Sequence, residues 1–502
     1  MRIYILLLAS LVSGVAMGQD FTLTEQFAGE DEAVTARSMG VAGAFGAVGA
    51  DFSAATNNPA GMAFFRKKEL GLGIGYQDRG IESTYLDALG KSESSILRLN
   101  NIGFNYSQLQ TEWIGDSLAV KREGLVSWSL AIGMNQKVDY DEVTNYDGLN
   151  ENSSLLTGYV QSANQFARNS FSDLDEFERQ AFETDLLDAT QSGNVFLYDS
   201  PLADGGLQQN GEISRIGARR DFFLSGGVNL DNKLYVGATF GIPWIHYEEG
   251  LSFSETDVNN TVADFQSLQV DQKRDYDGVG ANLGVGAIYR FSDYFRAGLK
   301  VKTPTVVELT ENTSIRTQSQ FGTTAVAESD FTDEYLMTLP WNGGLQLVAS
   351  HPQYGLISLE ADYVDYKSTR IEYLNDEFGD FDPFEESFKD EVQDFYRGAF
   401  NFRGGLEARL LKNLRLRGGA AYNQSPYDRE EDEFGADYGK LTLGLGAGLR
   451  VEPANLTFDL GLNRITTGEF NSAYLVNNTP NSIINDEETF LIRLNVSKRF
   501  NQ

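Results

Sequence analysis

The chain has 502 residues, with 51 glycines, 33 phenylalanines, 23 tyrosines and no cysteine, and its formal net charge is −32. This charge disfavours binding to nucleic acid through a basic face, and the missing thiols exclude thiolate catalysis, cysteine-bound metals and disulfides. No apolar run reaches 18 residues, which excludes a bundle of transmembrane helices. A secreted β protein or a membrane β-barrel remains, because lipid-facing and lumen-facing residues alternate along barrel strands.

The first 18 residues have the three parts of a secretory signal peptide. Arg2 supplies a positive charge, residues 3–12 form an apolar stretch, and Ala16-Met17-Gly18 is a small-residue cleavage site before Gln19. We therefore expect a signal peptide over 1–18 and a mature chain that begins at Gln19 and leaves the cytoplasm.

Residues 19–67 show no alternation and are rich in small side chains. Between Ala33 and Gly61, 14 of the 29 residues are Gly or Ala. Small residues allow close backbone approach, which suits a plug inside a barrel lumen, although a flexible linker can share this composition. Phe45, Phe52 and Met62 favour the plug, because a linker would instead be richer in serine and charge.

Downstream, apolar and polar residues alternate with period two, which indicates strands with two different faces. Val126, Trp128, Leu130, Ile132 and Met134 share one face of such a strand, and small or polar residues occupy the other. An even number of strands puts both ends of a barrel on one rim. We place fourteen strands near 68–77, 97–107, 124–137, 220–230, 233–245, 278–291, 294–303, 333–349, 354–366, 396–410, 413–424, 439–451, 454–464 and 488–500.

The predicted connections are of two kinds. Short turns on one rim and long loops on the other are typical of outer-membrane barrels, whereas a soluble β-sandwich has no reason to separate them. We therefore predict an all-β fold, a fourteen-stranded antiparallel transmembrane β-barrel. The short turns lie at 231–232, 292–293, 351–353, 412–413 and 452–453. The long polar loops lie near 140–219, 246–277, 304–332, 367–395, 425–438 and 465–487.

The longest loop, near 140–219, carries two helical patterns. A capping-box sequence at 172–175 precedes the second pattern, and Gly193 follows it. The two helices either pack on each other over the barrel mouth or form an apolar landing site, and both can be true. The residues predicted to form such an outer groove are Leu155, Tyr159, Phe166, Leu174 and Phe177.

Acidic residues are concentrated in the loop at 376–388. Asp376, Asp380 and Asp382 could be read as a calcium site, but the spacing lacks the terminal bidentate glutamate of an EF-hand. Solvated surface charge is the better interpretation, and we predict no metal. Interleaved phenylalanines suggest that the loop folds onto a neighbouring surface.

A short motif lies between the small-residue segment and the first strand. It consists of Asp51 and the run Asn57-Asn58-Pro59-Ala60-Gly61. This arrangement resembles the hatch of the FadL/TodX family, outer-membrane transporters for long-chain fatty acids and aromatic hydrocarbons. The match at motif level covers roughly residues 30–77, with looser similarity around strand three. The resemblance implies an N-terminal hatch over 19–67 inside the lumen of a fourteen-stranded barrel over 68–502.

The resemblance also implies a route for a hydrophobic ligand, through an outer apolar groove, a lumen pocket and a hatch-gated exit at a kinked third strand. By position, Gly133, Met134 and Asn135 match that exit, although small lumen-facing residues of an ordinary strand would look the same. No local motif locates the carboxylate-binding residues of the family. On strand parity, several basic residues should face the lumen, where they could also pair with acids such as Glu407. The possible carboxylate partners are Arg296, Lys300, Arg403 and Arg417.

We predict passive transport of hydrophobic solutes, foremost long-chain fatty acids, across the outer membrane of a Gram-negative bacterium. The expected partners are the hydrophobic small molecule and outer-membrane lipid. We expect a monomer with no enzymatic activity, no cofactor and no nucleic-acid partner. Two alternatives stay open: a structural or adhesive surface protein with a closed lumen, and a hydrolase that uses His246 near the outer rim, for which no serine-centred pattern is present.

Overall fold

The computed structural model describes residues 22–29, 33–114, 116–165, 169–374, 383–428, 436–477 and 479–500. The predicted signal peptide at 1–18 lies outside these ranges. Phe166 of the predicted groove and Asp376, Asp380 and Asp382 of the acidic loop also lie outside them.

The described chain is mostly strand, with short helices. The strands are β1 (Glu69–Tyr85), β2 (Ala88–Leu109), β3 (Thr111–Ile114), β4 (Ser117–Val120), β5 (Leu125–Asp139), β6 (Glu142–Asn150), β7 (Asp188–Ser192), β8 (Val195–Asp199), β9 (Leu207–Leu230), β10 (Leu234–Thr256), β11 (Phe265–Arg290), β12 (Phe295–Lys302), β13 (Thr305–Phe321), β14 (Thr323–Leu339), β15 (Asn342–His351), β16 (Gly355–Asp365), β17 (Arg370–Tyr373), β18 (Gly398–Arg409), β19 (Leu414–Asn423), β20 (Lys440–Val451), β21 (Leu456–Val476) and β22 (Thr479–Arg499). The α-helices are α1 (Thr22–Ala28), α2 (Ala36–Met39), α3 (Ala54–Asn57), α4 (Leu155–Gln165), α5 (Glu176–Glu183) and α6 (Pro383–Phe395), with 3₁₀ turns at Pro59–Phe64, Phe171–Asp173, Tyr366–Ser368 and Glu452–Ala454.

These strands form a closed antiparallel barrel with fourteen positions in its wall, which confirms the predicted fold. β1 pairs with β2 on one side and with β22 on the other, and this last pairing closes the barrel. Four wall positions are each built from two pieces: β5 with β6, β12 with β13, β14 with β15 and β16 with β17. The hairpins β3–β4 and β7–β8 form separate two-stranded sheets.

The strands extend far beyond their predicted bounds on the long-loop rim. The predicted polar loops at 246–277, 304–332 and 465–487 are in fact the continued strands of the hairpins β10–β11, β13–β14 and β21–β22. Buried and less buried positions still alternate along β10 to its end. The loop prediction was wrong because outward positions pass from lipid to water above the membrane, so polar residues replace apolar ones while the strand continues.

Large apolar side chains form a band around the outside of the barrel. On β20, Leu441, Leu443 and Leu445 point outward and are 43%, 48% and 64% exposed. Comparable leucines and phenylalanines stand at outward positions of the other wall strands. This is the exterior that a membrane barrel requires. Among the described residues, the helices are too short or too polar to cross a bilayer.

Residues 33–65, which we call the inner segment, lie inside the barrel and are almost entirely buried. The wall holds this segment from several sides: the Asn495 side chain accepts a hydrogen bond from the Ala36 N–H at 2.6 Å, and Ser129 donates one to the Met62 carbonyl at 2.7 Å. A Cβ at Gly227 of the wall would lie only 2.7 Å from the Ala63 nitrogen. Wall glycines therefore allow the inner segment to fill the lumen at this level.

Candidate functional site

The wall is interrupted beside the predicted exit. β2 and β5 pair from Leu109 and Ser127 up to Asn101 and Asn135, where the pairing stops. Beyond that point β2 stays paired with β1, and β5 stays paired with β9. We call the stretch where β2 and β5 are not paired the seam, which is Ser94–Asn100 of β2 opposite residues 136–141. The predicted exit residues Gly133, Met134 and Asn135 lie at its lower end.

β5 is distorted where the seam begins. Its period-two burial fails at Met134–Lys137, four consecutive buried residues, and its register with β9 slips between Gln136 and Val138. Met134 therefore does not face lipid as the alternation predicts, and it is only 7% exposed. Beyond this irregularity the chain continues as β6 along the β1–β2 hairpin, where the Ser83 hydroxyl donates to the Asn145 carbonyl at 2.5 Å. Such an irregularity redirects a strand and ends its pairing with one neighbour.

Charged side chains bridge the seam instead of backbone hydrogen bonds. Arg98 of β2 lies 2.8 Å from the Asp139 carboxylate and also pairs with Asp141. Arg79 of β1 pairs with Glu142 and donates to the Asp139 carbonyl at 3.2 Å. The cations come from β1 and β2, and the acids come from the end of β5, the start of β6 and the residues between them, so the two sides attract each other across the gap.

A cavity of about 170 Å³ lies at the seam. Arg98, Lys137 and Arg493 line it from the lumen side, together with the apolar Val138. Tyr76 also lines it, and that side chain is 41% exposed on the outside of the barrel. The seam cavity therefore lies in the lumen, directly behind the part of the wall that contains Tyr76.

A second cavity of about 230 Å³ occupies the lumen above the inner segment. It shares Arg79, Val138 and Asp139 with the seam cavity, so the two spaces adjoin. Arg219 and Arg403 also line it, and its wall is mixed in polarity.

Helix α1 inserts a phenylalanine into an aromatic cluster beside the lumen cavity. Phe27 is fully buried, and its ring centroid lies 6.3, 5.6 and 5.7 Å from those of Tyr140, Tyr247 and Tyr276. Arg219 donates to the Phe27 carbonyl at 3.0 Å, which fixes the end of α1. The sequence contained no periodic pattern around Phe27, so this residue was missed. Leu23 and Phe27, one helical turn apart and both buried, are the pair that could have indicated α1.

An apolar pocket lies further out, beneath the helices of the long loop. Leu155, Tyr159 and Phe177 of the predicted groove line this outer pocket, and Phe253 and Tyr474 of the wall face them. Leu174 instead packs with Ala163 and Tyr198, because it follows the turn Phe171–Asp173 and precedes α5, on a different side of the loop. The structure thus brings together three of the five predicted groove residues.

A buried acid ties α4 to the wall. Glu255 of β10 accepts hydrogen bonds from the Ser154 hydroxyl at 2.6 Å, the Leu155 N–H at 3.0 Å and the Gln209 amide at 2.6 Å. Its side chain is fully buried, and burial raises the pKa of Glu255 to about 7. This carboxyl therefore titrates near neutral pH although it is linked directly to the helix over the mouth.

The hatch motif stabilises the inner segment and its contact with the wall. Asn58 accepts from the Ala60 N–H at 3.1 Å and donates to the Gln346 side chain at 2.6 Å. Lys300 of the wall donates to the Asn57 side chain at 3.2 Å. Pro59 begins the turn Pro59–Phe64, and a Cβ at Gly61 would lie 2.8 Å from that of Ala54. Asp51 accepts from the Thr35 hydroxyl at 2.8 Å.

The four predicted carboxylate partners make contacts within the protein. Lys300 and Arg403 both pair with Asp362, Arg417 pairs with Glu407 and Asp459, and Arg296 stacks on the Phe64 ring at 5.0 Å. Of the four, Arg403 lines the lumen cavity. His246 of the hydrolase alternative has its ring nitrogens 2.8 Å from Asp277 and 3.4 Å from Glu248, so neither is directed at a serine.

No family model and no curated protein matches this sequence. Solved structures do match over nearly the whole chain. A Pseudomonas aeruginosa FadL homologue is 12% identical, with a TM-score of 0.55 over 93% of this chain and 98% of that one. The Pseudomonas putida toluene transporter TodX is 12% identical, with a TM-score of 0.51 over 93% and 98%. The CymD monoaromatic hydrocarbon channel is 13% identical, with a TM-score of 0.50 over 94% and 98%.

These likenesses establish the fold. The chain is a fourteen-stranded barrel of the FadL/TodX type, and together with the apolar exterior this fold points to the Gram-negative outer membrane.

Proposed function

We propose that this chain carries hydrophobic solutes, foremost long-chain fatty acids, from the cell surface into the outer membrane through the seam. The observation that carries the proposal is the end of the β2–β5 pairing at Asn101 and Asn135, with the seam cavity directly behind it in the lumen. A continuous barrel wall offers an apolar molecule no way to the bilayer, because every strand is hydrogen-bonded to its neighbours.

The route has three steps. An apolar solute first binds in the outer pocket, where Tyr159 and Phe253 exclude water. It then enters the lumen, where its chain takes the place of Phe27 among the tyrosines of the aromatic cluster. It leaves sideways through the seam cavity, because the buried inner segment closes the direct path downward.

Arg403 is the basic residue that we assign to the carboxylate of a fatty acid. It is the predicted partner that lines the lumen cavity, and its present contact is Asp362. A second anion beside Asp362 would be repelled, so the fatty acid has to compete with this acid for the guanidinium. Neutral hydrocarbons need no such exchange.

The seam can be tied shut without interference from native thiols, since the chain has no cysteine. The variant Arg98→Cys/Asp139→Cys, bridged by a cleavable bis-maleimide, replaces an ion pair across the seam by a covalent link. Uptake of labelled oleate by cells that lack other fatty-acid transporters should stop on bridging and return on cleavage.

The matched control places the same link within an intact part of the wall. Arg316 and Glu328 are opposite residues of the paired strands β13 and β14, and their charged groups lie 2.9 Å apart with 37% and 64% of the side chains exposed. Bridging Arg316→Cys/Glu328→Cys should leave uptake unchanged. If both bridged proteins transport oleate at the same rate, the lateral route is wrong. If, in addition, neither gives more uptake than cells without the protein, a structural or adhesive barrel with a closed lumen explains the result better.

A further inference from the structure

A third cavity, of about 220 Å³, opens on the short-turn rim of the barrel. We call it the rim basin. It lies below the inner segment, between the ends of β18 to β22 and the start of β1, and the turns at 410–413 and 452–455 border it. Short turns face the periplasm in barrels of this kind, so the rim basin opens to the periplasmic side.

The rim basin is rich in cations within a strongly acidic chain. Seven basic and four acidic side chains line it, and one more acid, Glu407, lies behind them. The whole chain, by contrast, carries a formal charge of −32. Such a local reversal of sign requires an explanation, because like charges gathered in one cavity repel each other.

Ion pairs account for only part of this positive charge. Glu407 is shared by Arg37, Arg415 and Arg417, at 3.7, 3.4 and 2.8 Å. Arg450 makes no ion pair with any side chain that the structure describes, and Lys412 is 85% exposed beside Glu452. An anion in the rim basin would therefore find cations that internal acids do not neutralise.

The inner segment contributes both of its charged residues to this cavity. Arg37 and Asp51 are the only charged side chains between residues 33 and 65, and both line the rim basin. Arg37 donates to the Ala50 carbonyl at 3.0 Å, so it braces the turn that carries Asp51. The underside of the inner segment is thus part of the same site.

Apolar side chains are exposed in the turn that follows β18, between two residues that line the basin. Leu410 and Leu411 lie between Arg409 and Lys412 and are 61% and 58% exposed. A head group in the basin and an acyl chain against these leucines would match the two kinds of surface. A bare inorganic anion would use only the first of them.

We propose that the rim basin binds the anionic head group of an amphiphile at the periplasmic face. The shared chemistry is a carboxylate or phosphate that carries an acyl chain, and the source is either a free fatty acid or an anionic phospholipid of the inner leaflet. Arg415, Arg450 and Lys412 supply the positive charge, and Leu410 and Leu411 receive the chain. The proposal goes beyond transport and holds whichever solute crosses the barrel.

The test is calorimetric titration of the purified full chain in an uncharged maltoside detergent. The titrants are dioctanoyl phosphatidylglycerol, dioctanoyl phosphatidylcholine and decanoate. The variant Lys412→Gln/Arg450→Gln should raise the dissociation constant for an anionic titrant at least fivefold, and Arg415→Gln provides a second, independent variant. Lys233→Gln/Arg290→Gln removes two charges from another sector of the same rim and is the matched control. Heat-modified gel migration verifies that each barrel is folded.

The outcomes separate the two sources of the ligand. If the variants lose binding of phosphatidylglycerol alone, the ligand is a phospholipid. If they lose binding of decanoate alone, it is a free fatty acid. If they lose binding of both, the basin accepts either. Absence of anion binding by the unmodified chain overturns the proposal. So does equal binding of phosphatidylcholine, or an equal loss in the Lys233→Gln/Arg290→Gln control.

Discussion

Asn101 of β2 and Asn135 of β5 are the last backbone-paired residues between these two strands, and both side chains are fully buried. Asn135 also donates to the Phe52 carbonyl at 3.3 Å, so the wall is joined to the inner segment at the point where its own pairing ends. Phe52 packs with Phe65 and Met62 in an apolar cluster beneath the seam. This apolar cluster forms the base of the gap in the wall, and it would direct a hydrophobic solute outward.

The ion pairs of Arg98 should hold the seam closed. Arg98→Ala removes both ion pairs that Arg98 makes across it, with Asp139 and Asp141, and its side chain is only 15% exposed. We expect a loss of about 2–4 kcal/mol of stability from unpaired acids at this site, and faster release of solute into the membrane. The measurement is release of a fluorescent fatty acid from the purified protein into lipid vesicles.

The control for Arg98→Ala is Arg464→Ala. Arg464 pairs with Glu488, but these side chains are 52% and 41% exposed on the barrel surface. An exposed pair contributes little, so neither stability nor release should change. Equal effects of the two substitutions would show that Arg98 has no special role.

Phe27 should compete with the solute for the aromatic cluster. Phe27→Ala removes a fully buried ring, which weakens the attachment of α1 by roughly 3 kcal/mol or more and leaves its place open to a ligand. We expect several-fold tighter binding of a fatty acid in equilibrium titrations. Phe27→Leu keeps most of the volume and should stay near the unmodified affinity. Weaker binding by Phe27→Ala would mean that the ring is part of the binding surface.

The outer pocket should determine capture rather than exit. Tyr159→Ala opens the apolar lining of the pocket, which Tyr159 shares with Phe253 and Tyr474. The solute concentration for half-maximal uptake should rise about three- to tenfold, while the maximal rate stays the same. Leu197→Ala, on a residue of the same loop that is 51% exposed, is the matched control. A fall in the maximal rate alone would contradict this assignment.

The attachment of α4 should depend on pH through Glu255. The folded pKa of about 7 lies above the ordinary value of 4.5, so the folded state binds more protons between these values and stability falls as pH rises through this window. Protection from hydrogen exchange in 154–165, taken relative to the intrinsic exchange rate at each pH, should therefore be lower at pH 8 than at pH 5.5. Glu255→Gln should abolish that difference, and its persistence in this variant would assign the effect to another group.

The wall glycines should be required for the inner segment. A Cβ at Gly227 would collide with the Ala63 backbone, whereas one at Gly226 meets nothing closer than 3.4 Å. Gly227→Ala should displace the inner segment and admit large polar antibiotics such as vancomycin to the periplasm, which growth inhibition measures. Gly226→Ala should leave the cells resistant. Resistance of both strains would indicate that the inner segment tolerates the added methyl group.

The alternation of apolar and polar residues and the positions of the turns were sufficient to predict the barrel. Lipid on the outside and a small or polar lumen on the inside produce a hydrophobic pattern with a period of two residues. The same rule failed for the outer parts of β10 and β11, because outward positions there are polar and inward positions include buried acids such as Glu249 and Glu255. Gly133–Asn135 could be located only by position. The cations that bridge the seam, Arg79 and Arg98, could not be found, because their pairing with Asp139 and Glu142 depends on the irregularity in β5, which no sequence pattern marks.

Exit of solutes through the seam is tested most directly by photo-crosslinking with a long-chain fatty acid that carries a terminal diazirine. After irradiation in outer-membrane vesicles, mass spectrometry identifies the labelled residues. Lateral exit predicts labels at Ile96, Val138 and the outward Tyr76, which line the seam cavity. Labels confined to the underside of the inner segment, near Arg37 and Ala50, with none at the seam, would contradict it.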